Sequence, residues 1–147
     1  MPGNVCFVPL SGGQVVNIDP ANPGAGNDWT YTVPAGYEMS LLSVCYRFTA
    51  DATIAIRHPL FVMWGPDAFD RFRLRFALNI TAGQVKIFSL AVGNARADSM
   101  APANNLYMDT LPSVRLAAGL NWGAFAVSAG STDAFSDIHM IVRQWRA

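Results

Sequence analysis

Apolar and polar residues alternate with a period of two along most of the chain, the signature of strands with one buried face. Trp29, Tyr31 and Val33 fall on one side, Thr30 and Thr32 on the other. Past a Pro-Ala-Gly corner, Tyr37, Met39 and Leu41 alternate with Glu38 and Ser40. The parity then flips, and Leu42, Val44, Tyr46 and Phe48 alternate with Ser43, Cys45 and Arg47. A bulge with one extra residue produces such a flip, and so does a strand crossing between two sheets. The cleanest run sets Phe72, Leu74, Phe76 and Leu78 against Arg71, Arg73 and Arg75. The same pattern predicts strands over 13–18, 53–63, 84–92, 106–110, 122–128 and 138–145. No segment carries a sustained period of 3.6 with caps, so little helix is expected.

One corner recurs. Val33-Pro34-Ala35-Gly36, Ile80-Thr81-Ala82-Gly83, Leu116-Ala117-Ala118-Gly119 and Val127-Ser128-Ala129-Gly130 all end in Ala-Gly after an apolar residue. Each reads as a type I-like turn whose glycine takes a positive φ and launches the next strand. Trp64-Gly65-Pro66-Asp67 punctuates the middle as a turn, and Pro59 suggests an edge strand or a bulge. Many short strands with such corners predict an all-β fold: an antiparallel β-sandwich of jelly-roll type, with about eight strands and an N-terminal arm. The arm with its first strands covers 1–18 and the sandwich body 19–147, in one domain, with loops at 19–28 and 95–105. The arm has apolar residues of its own and either completes the domain's sheet, the favoured reading, or reaches a neighbour.

Composition adds a surface argument. Of 147 residues, 52% are hydrophobic and only 14% charged, so the surface must be covered by small polar groups or by another protein. The cations are nine Arg and one Lys, a bias typical of protein interfaces. Net charge is zero, which gives no general attraction to nucleic acid or anionic lipid. The first residues lack the pattern of a signal peptide, and no run has the ~20 apolar residues of a membrane span. The chain reads as soluble and made in the cytoplasm.

Chemistry is sparse. Cys6 and Cys45 form no CxxC pair; a disulfide between them stays open, although the apolar run around Cys45 favours a buried thiol. No second histidine or cysteine lies at metal-ligand spacing from His58 or His139, and no metal site or cofactor is expected. Asp67/Asp70 and Asp133/Asp137 are the close carboxylate pairs, but both lie in turn-like segments where Asp caps the backbone. No nucleophile elbow, P-loop or dinucleotide fingerprint is present, so no catalytic residue is nominated and a non-enzymatic role is expected. The Arg71, Arg73 and Arg75 stripe reads as a solvated or protein-contacting face rather than a nucleic-acid site.

Two segments resemble small virion structural proteins of tailed bacteriophages: "WTYTVPAGYEMSLLSVCYRFTADATIAIRHPLF", residues 29–61, and "LPSVRLAAGLNWGAFAVSAGSTDAFSDIHMIVRQW", residues 111–145. The shared features are a T-V-P-A-G corner, a long strand, a Thr/Ala/Asp turn, an Arg-bearing strand and a closing strand ending in an aromatic. Such chains often have Asn before the Arg, whereas Ile56 precedes Arg57 here, so no role is carried over to Arg57. The resemblance implies a capsid decoration (cement) protein on the outer surface of the phage head, bound to the major capsid protein and to itself. A dimer or, by preference, a trimer is expected, with no nucleic-acid or membrane partner. Candidate protein contacts are Val5, Phe7 and Val8 in the arm, Arg71, Arg73 and Arg75 on the strand face, and Met100 and Leu106. The alternative is a receptor- or glycan-binding module of a head or tail fibre, with Trp and Tyr supplying sugar-stacking faces.

Overall fold

The computed structural model describes residues 12–76, 78–94, 105–127 and 129–147. These form nine strands: β1 (Gln14–Ile18), β2 (Trp29–Thr32), β3 (Tyr37–Thr49), β4 (His58–Trp64), β5 (Asp70–Arg75), β6 (Val85–Val92), β7 (Leu106–Leu111), β8 (Asn121–Val127) and β9 (Ala134–Arg146). One sheet has the order β1-β9-β3-β6-β7 and the other β2-β8-β4-β5. The pairing is nested: first strand with last, β2 with β8, β3 with β6, β4 with β5. A single long hairpin rolled into two sheets gives this order, and β7 is added at one edge. The β-sandwich therefore stands as expected, with one correction. β7 runs parallel to β6, with Leu106 opposite Ile87 and Leu111 opposite Val92.

The parity flip in β3 is a bulge. Met39 and Leu41 are buried, then Val44, Tyr46 and Phe48. The register with β9 shifts between Leu41 and Ser43, leaving Leu42 as the extra residue, and β3 stays in its own sheet throughout. A second shift follows on β9, where Asp137 takes a φ of 50° and the buried set moves from Phe135 to Ile138, Met140 and Val142. One strand gains a residue and the other gains one shortly after, so the original register is restored from Arg47 onward. The two long strands can thus curve and still keep their apolar sides inward.

The core fills the space between the sheets. Trp29 of β2 stacks on Tyr46 of β3 with ring centroids 5.8 Å apart, Tyr46 stacks on Phe88 of β6 at 5.1 Å, and Phe48 packs on Phe135 at 4.9 Å. The Trp122 indole N–H donates to the Met140 sulfur at 3.1 Å, tying β8 to β9 across the sandwich. Three of the four corners behave as expected, with Gly36, Gly83 and Gly119 at φ of 80°, 72° and 82°. Each is the third residue of its turn (Tyr37 N–H to Pro34 O, Gln84 to Thr81, Leu120 to Ala117), and a positive φ there belongs to type II rather than type I.

Pro59 suggests an edge strand or a bulge; its strand is an inner one, and the register shift it carries lies between Met63 and Trp64. The Pro59 carbonyl accepts from Phe76 N–H, so its nitrogen also faces the β5 side, and the bond it cannot donate is the reciprocal one to Phe76, just past Arg75 where β5 ends. The strand expected over 53–63 starts only at His58. β1 pairs with β9 inside the chain's own sheet, while Val5, Phe7, Val8 and Met100 lie outside the described residues.

Candidate functional site

Two arginine regions dominate the polar structure. The first is internal. Arg57 is 0% exposed, and all five of its N–H donors are used. Nε donates to Asp133 Oδ2 at 2.9 Å, and Nη2 to Asp133 Oδ1 at 3.0 Å and Asp51 Oδ1 at 2.6 Å. Nη1 donates to the carbonyls of Thr53 and Ala55, both at 2.9 Å. The carboxylates are themselves held: Asp133 accepts the backbone N–H of Asp51 and Gly130, and Asp51 accepts those of Thr53 and Thr132 and the Thr132 hydroxyl. Those bonds hold the Asp51 carboxyl down at about 2, the Thr53 N–H contributing most. The Asp133 hydrogen bond pushes the Arg57 pKa up.

This cluster corrects the reading of Asp133 as a turn residue alone, and it gives Arg57, to which the resemblance carried no role, a structural one. It also explains the fourth corner. Gly130 is not among the glycines with positive φ; its small size matters instead, because a Cβ would collide with the Asp51 carboxylate. The signal was present in the parity of the chain. Arg57 shares the odd positions of Pro59, Phe61 and Met63, and those three are buried. A charge at an inward position asks for carboxylates, and Asp51 and Asp133 supply them.

The second region is the outer side of the four-stranded sheet. Arg71, Arg73 and Arg75 line β5, the edge strand, and all three are exposed. Arg71 pairs with Asp67 at 2.8 Å and Arg73 with Asp70 at 2.6 Å, whereas Arg75 has no carboxylate partner among the described residues. Beside them runs a trough of about 610 Å³, floored by Leu60, Val62, Trp64 and Phe125, with Arg73 and Asp70 on one side and Asp28 on the other. A smaller depression of about 290 Å³ continues it between His58, Arg75 and Val127; Leu60, Arg73 and Val127 line both. Apolar groups on the outer face of a sheet are the informative exception to inside-outside patterning. The hairpin tip at its rim adds Phe69, 70% exposed. Leu106 is not part of this surface. It opens β7 in the other sheet, opposite Ile87.

The arrangement closest to a nucleophile with a base lies on the five-stranded sheet. Cys45 is the cross-strand partner of His139, whose Nδ1 is 2.8 Å from Asp19 Oδ1. Cys45 is half-buried rather than sequestered in the core, and among the described residues it is free. It makes no hydrogen bond to His139. Burial, and then the charge of Asp137, push its thiol up, opposite to what an attacking thiolate needs. Among the described residues no group of three His, Cys, Asp or Glu side chains could hold a metal ion, and no helix is long and apolar enough to cross a membrane.

No family model matches the chain. No curated protein matches it. Among solved structures it is similar to a chain in the structure of the infectious bursal disease virus Gx strain, with 12% identity and a TM-score of 0.31 over 91% of this chain and 36% of that one. A chain of the Gt strain structure gives 11% identity and a TM-score of 0.26, over 88% and 36%. This chain therefore spans about a third of the length of those chains. A likeness that loose carries no functional argument.

Proposed function

We propose that the chain is a non-enzymatic virion structural protein, a capsid decoration subunit that binds the major capsid protein of a tailed phage on the outside of the head. The observation that carries this reading is the outer face of the four-stranded sheet: an apolar trough with charged rims on a closely pinned sandwich. The phage-like segments support it, since the T-V-P-A-G corner is the β2–β3 turn and the Asp51–Arg57 stretch is the loop locked by the buried cluster. Such a subunit works by burying area across capsomer boundaries, which stabilises the shell by mass action. Repetition on a symmetric lattice multiplies modest affinities.

The test is co-sedimentation of the purified chain with phage heads. Saturable binding in fixed ratio to the major capsid protein supports the reading; a folded chain that stays in the supernatant rejects it. One observation favours the second reading, a glycan-binding fibre module. Trp64 and Phe125 meet edge to face at 5.4 Å in the trough, next to Arg73, Asp70 and Asp28, a combination of aromatic faces and polar rims that suits a sugar. Binding on a glycan array, lost in Trp64→Ala, would transfer the assignment to that reading.

A further inference from the structure

The outer side of the four-stranded sheet is arranged in rows across the strands. In one row Leu60 of β4 is paired with Arg75 of β5 on one side and with Phe125 of β8 on the other. Asp28 directly precedes Trp29, which pairs with Ala124, so Asp28 stands at the level of Phe125. The row therefore reads cation, apolar, apolar, anion: Arg75, Leu60, Phe125, Asp28. Its ends are three strands apart, about 14 Å at ~4.8 Å per strand, too far to pair with each other. Neither end has an oppositely charged partner among the described residues. Burial raises the Asp28 carboxyl pKa, so its charged form gains from a nearby cation.

A two-fold axis parallel to the strands, passing between β4 and β8, maps this row onto its own reverse. Arg75 then meets Asp28 of a second copy, Asp28 meets its Arg75, and Leu60 and Phe125 cover each other. The next row is Arg73, Val62, Gly123 and Thr30, and the same axis sets Val62 over Gly123 of the second copy. Gly123 is flat for a reason internal to the sheet, because a Cβ there would collide with the Trp29 carbonyl. In the first row apolar faces apolar and each charge faces its opposite; in the second, Val62 faces the space over Gly123, and Arg73 stands opposite Thr30 of the second copy.

We propose that this face is a self-complementary interface, on which a second copy of the chain docks about a two-fold axis along the strands. The inference goes beyond the virion reading and does not rest on it. It replaces the expected trimer for this surface, since a closed three-fold ring joins two different patches whereas a two-fold pair joins one patch to itself. Four strands by six residues give a contact of roughly 300–400 Å² per copy, below the ~800 Å² of a standard interface. The dimer is accordingly weak and forms most fully where the chain is concentrated.

The experiment is sedimentation equilibrium of the purified full chain and three variants. Wild type shows a monomer–dimer equilibrium. Arg75→Asp sets like charges against each other at both ends of the interface and weakens the dimer by about tenfold or more, and Asp28→Arg does the same. The double variant Arg75→Asp/Asp28→Arg restores the opposite pairing and returns the constant toward wild type. Both positions are exposed, so unfolding does not confound the result, and unchanged thermal midpoints verify this. A wild-type chain that stays monomeric up to about 1 mM overturns the proposal. So does a trimer, or a double variant no better than the singles.

Discussion

Arg57 and Arg75 carry the same group, and the fold uses them in opposite ways. Arg57 has every donor satisfied within the chain, by two carboxylates and two carbonyls. It pins the 51–57 loop to the 130–133 turn and has nothing left to offer a partner. Arg75 sits on an edge strand with no carboxylate of its own among the described residues, beside an apolar trough. One arginine builds the molecule; the other is exposed, with no carboxylate of its own among the described residues. In a chain with so few charges, whether a charge is satisfied internally is a better guide to its use than its place in a stripe.

The largest effect expected is from Arg57→Ala. Removing the cation leaves Asp133 buried and uncompensated, and breaking such a pair costs about 3–5 kcal/mol. Urea unfolding should show that loss, and Arg57→Lys should recover only part of it, because an ammonium cannot reproduce the five-donor fork. Next comes Gly130→Ala, which drives a methyl group into the Asp51 carboxylate and should cost about 1–3 kcal/mol by overpacking.

Acid provides a third test. Asp51 is held at about 2 against an ordinary 3.8, so its stabilising contribution is complete above about 4 and fades as pH falls toward 2. Unfolding midpoints measured across that window should drop, and Asp51→Asn should flatten the part of the slope that Asp51 provides. The smallest effects belong to the exposed pairs. Arg71→Ala and Arg73→Ala should each change stability by less than about 0.5 kcal/mol, since surface ion pairs contribute little. A loss from either as large as that of Arg57→Ala would erase the contrast.

The sheet architecture was legible because alternation is a local property. The β3 bulge could be read from the parity change at Leu41 and Leu42, and three corners from their glycines. The parallel placement of β7 could not, because it depends on where a long connection returns rather than on the strand's own pattern. The Arg57 cluster was half legible. Parity put the side chain inside, but Asp133 lies 76 positions away and looks like any turn aspartate. The Arg71, Arg73 and Arg75 stripe was found as a surface, yet the features that distinguish its members come from neighbours: Asp67 and Asp70 for two of them, and the trough for the third. The trough itself was missed. Leu60, Val62 and Trp64 alternate with Phe61 and Met63, so both faces of β4 are apolar, and alternation marks only the inner one.

On the proposed reading the four-stranded face meets a second copy of the chain, while the buried cluster holds the fold. Val127→Lys separates the two roles. Val127 is 50% exposed and lines both depressions, so a lysine there introduces a charge into the contact without disturbing the core. Sedimentation equilibrium of this variant beside wild type should show a chain with an unchanged thermal midpoint that no longer self-associates. Association equal to wild type would contradict the account.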